Sequence, residues 1–147
     1  ESAEEMSQAA IKLLPADIFV GCAAVCDFKV VNRNDRKIKK SEGLNLEFAE
    51  NPDIVASIGN LPSNERPTVV VGFAAETENL IDNAKSKRIA KGCDLVVAND
   101  VGGAAVFGQD TNRASFVSAS GVEALDRMSK TQLARCISDW IADFLKR

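Results

Sequence analysis

Three apolar segments, separated by helix-forming ones, constrain this chain more than any other feature. They are DIFVGCAAV at 17–25, TVVVGFAA at 68–75 and DLVVAND at 94–100. Uninterrupted apolar runs of this length are typical of strands buried on both faces of a parallel sheet. The alternation of strand and helix predicts a β-α-β-α-β order with right-handed crossovers. We therefore expect an open α/β sheet.

Capping signals mark the first and last helices. Ser2 and Glu5 stand in capping-box spacing at the start of the chain, and Ser129 and Gln132 do so near its end. The last helix carries one wide apolar stripe, which we interpret as core-facing. Its members are Leu133, Cys136, Ile137, Trp140, Ile141, Phe144 and Leu145.

The middle of the chain gives weaker signals. Asn51 is predicted to be the N-cap of a helix whose first residue is Pro52. The helix after the second apolar segment is predicted to end at Gly92. LNLEF at 44–48 is predicted to be a short alternating strand, and the segment 114–125, with a glycine at its centre, suggests a small hairpin or edge strands.

Composition excludes several classes of protein. The 147 residues suffice for one domain, and a net charge of −3 disfavours general nucleic-acid binding. No apolar run reaches the roughly 20 residues of a membrane span, so no membrane partner is expected. The four cysteines form no CxxC pair and are interpreted as small core residues of a reduced, cytoplasmic protein. The absence of histidine rules out Ser–His–Asp and Cys–His catalysis.

Ligands of open α/β sheets bind beyond the carboxyl ends of the strands. Here those ends carry small or polar residues, and Lys87 and Lys91 share one face of the following helix. A basic run, RKIKK at 36–40, follows the first strand of this acidic chain. Taken alone, such a lysine pair is usually a solvated helix face, and such a basic run is usually a mobile solvated loop. The sequence contains neither a GxGxxG fingerprint nor a P-loop. The residues alone predict an α/β domain that binds a small anion, favouring a nucleotide.

Six motifs together resemble one family. They are GCAAVCDF, KIKK, NPDIV, VGFAAET, KSKRIAKGCDLVVAND and FGQDTNRASF. In this order and spacing they are similar to phosphopantothenoylcysteine synthetase, which in bacteria is usually the C-terminal half of a bifunctional protein. The resemblance covers essentially all 147 residues. It implies a Rossmann-like three-layer open sheet, mostly parallel, with a small antiparallel C-terminal extension.

The resemblance also implies a reaction. The carboxylate of 4′-phosphopantothenate attacks the α-phosphate of CTP, giving an acyl-cytidylate and pyrophosphate, and the amine of L-cysteine then displaces CMP. The implied co-substrate is CTP with Mg²⁺, and FMN belongs only to a possible fused decarboxylase domain outside this chain. The family works as a homodimer. Nucleotidyl transfer needs positioning and charge neutralisation, so the lack of histidine is no obstacle.

Site residues follow from the resemblance motif by motif. Lys37 is implied to be the catalytic lysine, on a flap that brings positive charge to the triphosphate. Asp27 is implied to contact the ribose or the metal, and Phe73 to lie against the nucleotide. The remaining nucleotide-binding residues implied are Gly21, Cys22, Ala23, Pro52, Asp53, Ile54, Val55, Lys87 and Lys91. Those at 52–55 are expected to read the cytosine through backbone groups.

One departure from the family is expected to affect activity. The family's domain begins with a further strand, a glycine-rich loop and an asparagine needed for turnover, and nothing here matches them. We therefore expect residues 1–147 to be a single synthetase domain lacking that N-terminal part. The alternatives are a non-catalytic nucleotide-binding or dimerisation module and, less favoured by the missing glycine fingerprint, a Rossmann oxidoreductase.

Overall fold

The computed structural model describes residues 2–32, 36–37, 39, 43, 45–76, 78–100 and 111–146. In chain order the elements are α1 (Ala3–Lys12), β1 (Ile18–Gly21), β2 (Phe28–Val30), β3 (Phe48–Glu50), α2 (Ile54–Gly59), β4 (Val69–Glu76), α3 (Leu80–Ala90), β5 (Leu95–Asp100), β6 (Thr111–Asn112), β7 (Ala114–Ser118), β8 (Gly121–Ala124), β9 (Met128–Ser129) and α4 (Lys130–Leu145). The glycine-rich segment 101–108 lies outside the described residues, as do Ile38 and Lys40 of the lysine run.

A five-stranded sheet in the order β1-β4-β5-β7-β8 forms the centre of the molecule. β1, β4 and β5 are parallel, whereas β7 and β8 continue the sheet in antiparallel fashion. Two short ribbons, β2-β3 and β6-β9, lie outside it. The predicted open α/β sheet with a small antiparallel C-terminal extension is therefore confirmed.

The core has two halves because alternate residues of a strand face opposite sides of the sheet. On one side Val69, Val71 and Val97 pack against α4, where Leu133 and Ile137 are buried. The opposite face packs against α3. The buried residues of this second half of the core are Val70, Ala74, Ala84, Cys93, Val96, Ala98 and Val117. Helices thus cover both faces, which gives the three-layer arrangement that the family resemblance implied.

The first predicted strand is shorter and more exposed than expected. β1 ends at Gly21, and 22–27 form an irregular segment rather than a continuation of the strand. Ile18 and Val20 are each 41% exposed. The reason is the position of β1 at the edge of the sheet, where β4 is its only paired neighbour among the described strands. An apolar run alone cannot distinguish such an edge strand from a central one.

The predicted start of α2 is also wrong by two residues. Its N-cap is Asp53, whose side chain accepts a hydrogen bond from the N–H of Ala56 at 3.0 Å. Asn51 instead donates its side-chain amide to the carbonyl of Cys26, so Pro52 precedes the helix. The capping boxes of α1 and α4 are confirmed. So is the end of α3, because Gly92 lies just beyond it with a φ of 62°.

The C-terminal ends of α2 and α3 are held together by Arg66. Its guanidinium donates to the carbonyls of Gly59, Pro67 and Gly92, each at 2.8 Å. It also pairs with the Asp94 carboxylate at 2.6 Å. Arg66 therefore ties both helix ends to the beginnings of β4 and β5, at the end of the sheet opposite the carboxyl ends of the parallel strands.

Candidate functional site

A cavity of about 430 Å³ opens where the parallel strands β1, β4 and β5 end. This volume falls within the roughly 300–1,000 Å³ of small-molecule sites. Segment 22–27, the start of α2, the end of β4 and the last turn of α3 form its walls. The lining residues are Gly21, Cys22, Ala23, Ala24, Val25, Cys26, Asp27, Asn51, Pro52, Asp53, Ile54, Val55, Phe73, Ala74, Ala75, Lys87, Lys91 and Asn99.

Eleven of the twelve site residues expected from the sequence line this one cavity. The exception is Lys37, whose side chain is exposed and does not belong to the lining. The others come from four separate parts of the chain. They meet because the carboxyl ends of neighbouring parallel strands lie at the same edge of a sheet. The function of each residue in this set remains a prediction.

Asn51 fixes the irregular wall of the cavity. Its Nδ2 donates to the carbonyl of Cys26 at 2.9 Å, and its backbone N–H donates to the carbonyl of Asp27 at 2.8 Å. Segment 22–27 is thereby tied to the residues that lead into α2. Sequence reasoning assigned Asn51 only a capping role, so this positioning contact was missed.

Two glycines let α2 approach the sheet closely. Gly21 and Gly72 are register partners on β1 and β4. A Cβ added at Gly21 would lie 2.6 Å from Val55 Cγ2, and one at Gly72 would lie 3.6 Å from Val55 Cγ1 and 3.0 Å from Cys93 Sγ. The Val55 side chain, not a ligand, therefore occupies the space above Gly21. Small residues here place the start of α2 against the strand ends.

Both cavity lysines are paired with carboxylates. Lys91 Nζ lies 3.1 Å from Asp53 Oδ2, and Lys87 Nζ lies 2.6 Å from Glu76 Oε1. The Lys87 hydrogen bond lowers the pKa of the Glu76 carboxyl. With Asp27, the lining holds two lysines and two aspartates, which cancel in formal charge. An anion entering the cavity thus meets lysines that already have partners.

Asn99 is a cavity residue that the sequence placed at a strand exit without including it in the site. It directly follows the buried part of β5 and is the register partner of Ala75. Its Oδ1 is buried and has no hydrogen-bond partner in the described structure. Buried polar atoms usually have a partner, so this amide is a further candidate for a polar function. Its position after VVA was the signal available in the sequence.

The segment that carries Lys37 is joined at both ends to residues of the cavity wall. β2 begins immediately after Asp27, β3 ends immediately before Asn51, and the two strands pair antiparallel. A hydrogen bond from the N–H of Val31 to the carbonyl of Glu47, 2.9 Å, extends the ribbon. Lys37 therefore belongs to the connection of a hairpin whose base is the cavity wall.

The hairpin has two different faces. Lys29 points to α1, where it forms an ion pair with Glu4. Phe28, Val30 and Phe48 share the other face, since Val30 and Phe48 are register partners and Phe28 is two residues from Val30. They are 59%, 36% and 62% exposed, respectively. These three side chains form a surface, hereafter the apolar hairpin face. No element of the described structure covers it.

A divalent cation fits the cavity only together with a ligand. Across the described residues, no group of three or more Cys, Asp or Glu side chains is arranged to hold a metal ion. Mg²⁺, however, is commonly bound through one or two carboxylates plus substrate phosphates. Asp27 is an exposed carboxylate in the cavity wall and suits that mode.

None of the described helices has the length and apolar character needed to cross a membrane.

The fold and the cavity define an open-sheet α/β domain with a cavity of small-molecule size at the ends of its parallel strands. Residues 1–145 match the family model described as DNA/pantothenate metabolism flavoprotein C-terminal domain. The chain therefore belongs to that family.

Named relatives agree with this assignment. The chain is 40% identical over 148 residues to the coenzyme A biosynthesis bifunctional protein CoaBC of Haemophilus influenzae, covering 99% of this chain and 36% of that protein. It is 39% identical over 159 residues to the CoaBC of Mycolicibacterium smegmatis, covering 99% and 38%. It thus spans a little over a third of these curated relatives.

Solved structures match as well. The crystal structure of a C-terminal domain of CoaBC superposes with a TM-score of 0.77 at 26% identity, covering 99% of this chain and 64% of that one. The DNA/pantothenate metabolism flavoprotein from Streptococcus pneumoniae matches in fold, with a TM-score of 0.75, 16% identity and coverage of 97% and 70%.

Proposed function

We propose that this chain is the CTP-binding domain of a phosphopantothenate–cysteine ligase of coenzyme A biosynthesis. It would promote attack of the 4′-phosphopantothenate carboxylate on the α-phosphate of CTP, followed by amide formation with L-cysteine and release of CMP. The observation that carries the proposal is the convergence of eleven expected site residues on one cavity of about 430 Å³. Membership of the family supports the same reaction.

The charges of the cavity explain why a lysine from outside is needed. Because the lining lysines and aspartates cancel formally, the cavity alone supplies no net positive charge for a triphosphate. In our proposal Lys37 supplies it from the hairpin connection, stabilising the charge that develops at the α-phosphate. A donor that acts mainly in the transition state raises the rate more than the affinity.

The other residues would bind and orient the nucleotide. We assign the backbone of 52–55 to the cytosine edge and Phe73 to contact with the nucleotide. Lys87 and Lys91 would exchange their carboxylate partners for the ligand's polar end. Asp27 would hold the divalent cation that arrives with the phosphates, and this ion supplies further charge neutralisation when bound.

The test of the catalytic assignment uses the protein expressed from its complete gene. Pyrophosphate release is measured with CTP, Mg²⁺ and 4′-phosphopantothenate but without cysteine, which isolates the first half-reaction. Lys37→Gln should reduce this rate by about 10²–10³ while leaving the Kd for CTP within a few-fold. Lys39→Gln, an exposed neighbour, is the control and should lose far less. A normal rate in Lys37→Gln contradicts the assignment.

Equilibrium binding tests the cavity separately. CTP should raise the melting temperature more than UTP or ATP, because 52–55 is assigned to the base. Lys87→Ala or Lys91→Ala should weaken CTP binding by about 1.5–3 kcal/mol, the range for charged hydrogen bonds. The control is Lys85→Ala, since Lys85 lies on α3 but outside the cavity lining. Equal shifts with all three nucleotides would exclude base reading by 52–55.

We further propose that the protein is a homodimer formed through the apolar hairpin face. An isolated two-stranded ribbon is only marginally stable in water, and this one leaves Phe28 and Phe48 largely exposed. Burial against a second copy would stabilise the ribbon and place Lys37 near a neighbouring site. Light scattering should show a dimer that the double variant Phe28→Ser with Phe48→Ser converts to a monomer. Ile89→Ser, at a 72% exposed position on α3, is the control and should leave the dimer intact.

One observation favours the alternative of a non-catalytic binding module. Lys37 does not line the cavity in this structure. If both the wild-type protein and Lys37→Gln bind CTP with Mg²⁺ but release no pyrophosphate, the result supports the binding module and excludes the ligase.

A further inference from the structure

The four cysteines differ sharply in their accessibility. Cys22 and Cys26 are exposed, and both line the cavity. Cys93 is buried under α3, and burial raises the pKa of its thiol to about 11. Cys136 is half-buried against the core, with its Sγ 3.8 Å from the sulfur of Met128. The two exposed thiols of this chain are therefore both in the cavity wall, and the prediction that all four cysteines are core residues is wrong for these two.

These two thiols are carried by a wall of fixed shape. Cys22 directly follows the last residue of β1. Cys26 is held four residues later, where its carbonyl accepts from Asn51 Nδ2 at 2.9 Å. The next carbonyl, that of Asp27, accepts from the Asn51 N–H at 2.8 Å. Both ends of the segment are thus anchored, so a group attached to either sulfur remains at the cavity.

We infer that Cys22 and Cys26 form a thiol-modification site that reacts with low-molecular-weight disulfides and closes the cavity to its ligand. The protein thiolate attacks one sulfur of RS–SR, forming a protein S–SR bond as the original S–S bond breaks. The leaving RS⁻ takes up a proton equivalent to the one lost by the cysteine. Excess thiol reverses the exchange. The identity of the displaced ligand as CTP rests on the proposed function, whereas the site of modification does not.

Access directs the reaction to the cavity. The thiolate is the nucleophile, and its rate depends on whether a disulfide can reach it. Cys93 combines burial with a raised pKa, so it is disfavoured twice. An adduct on Cys22 or Cys26 then occupies part of the same 430 Å³ that the ligand requires. Modification and ligand binding should exclude each other.

The experiment uses 5,5′-dithiobis(2-nitrobenzoic acid) on the reduced protein expressed from its complete gene. Peptide mass spectrometry identifies the modified cysteines with time. Cys22 and Cys26 should react in the native protein, and Cys93 and Cys136 only after unfolding in guanidinium. CTP with Mg²⁺ at 100 times its Kd should slow the reaction at Cys22 and Cys26 by about 100-fold, if only the free protein reacts. The modified protein should lose at least tenfold in CTP affinity and regain it with dithiothreitol.

Variants assign the effect to each thiol. Cys22→Ala and Cys26→Ala should each lose the corresponding adduct, whereas Cys136→Ala should retain both and remain sensitive to the reagent. Reaction at Cys93 or Cys136 as fast as at the cavity would overturn the inference, as would unchanged CTP affinity after modification. A reduced, unmodified protein that fails to bind CTP contradicts the proposed function and also removes CTP as the displaced ligand. The accessibility pattern alone would then decide the site of modification.

Discussion

Gly59→Ala should destabilise the protein, although alanine is normally the better helix residue. Gly59 ends α2, and an added Cβ would lie 2.1 Å from the backbone oxygen of Lys91 and 3.0 Å from that of Gly92. Real Cβ atoms essentially never approach other atoms below 3.0 Å, so the two helix ends must separate by 0.9 Å or more. The obstacle is backbone, which cannot rotate away as a side chain would.

The expected magnitude follows from opposing effects. At an unstrained position, Gly→Ala stabilises by about 0.4–1 kcal/mol. Overpacking costs about 1–3 kcal/mol. Separation of the helices also stretches the Arg66 hydrogen bonds to Gly59 and Gly92, and charged hydrogen bonds contribute about 1.5–3 kcal/mol. We expect a net loss of about 2–4 kcal/mol in the free energy of unfolding.

Urea denaturation measures this loss through the midpoint and the m value. The control is Gly43→Ala, because Gly43 has a φ of 70° with nothing within 4 Å of an added Cβ. That variant should lose only about 1–2 kcal/mol, the cost of a left-handed alanine. Because the carbonyl of Lys91 is the obstacle, Gly59→Ala should also weaken CTP binding. A Gly59→Ala protein as stable as wild type, or more so, would refute the reasoning.

Three further predictions concern the Arg66–Asp94 pair, the buried thiol of Cys93 and Glu76, the carboxylate partner of Lys87. A double-mutant cycle of Arg66→Met and Asp94→Asn should give a coupling energy of about 1–3 kcal/mol by urea denaturation, because the pair is 2.6 Å apart and only 21% exposed on each side. Burial raises the pKa of Cys93 from its ordinary 9.0 to about 11, so the folded protein holds this proton more tightly than the unfolded chain does. The contribution of this difference to the free energy of unfolding is full below pH 9 and is lost between pH 9 and 11. Urea midpoints over this range should fall less in Cys93→Ala than in wild type, and equal slopes would contradict the assignment. Glu76→Gln should strengthen CTP binding about two- to fivefold by calorimetry, since it frees Lys87 from its carboxylate; the same change in a Lys87→Ala background should have no effect.

Part of the candidate site was within reach of sequence reasoning because it follows from chain order. Phe73, Lys87 and the residues around Asp27 stand at fixed offsets from predictable strands and helices, and neighbouring parallel strands bring those offsets together. Contacts that depend on another segment were not predictable. The two hydrogen bonds of Asn51 to 22–27 and the pairing of Lys91 with Asp53 need the coordinates of both partners.

The sequence by itself determined the alternation of helices and buried strands along the chain, and hence the α/β class, because apolar periodicity and capping boxes act over a few residues. It could not decide that β1 lies at the sheet edge with Ile18 and Val20 exposed, since an apolar run has the same pattern at the edge and at the centre. Tertiary structure also decided which groups remain accessible. It buries Cys93 and leaves Cys22 and Cys26 in the cavity wall, because burial depends on what the rest of the chain packs against each residue.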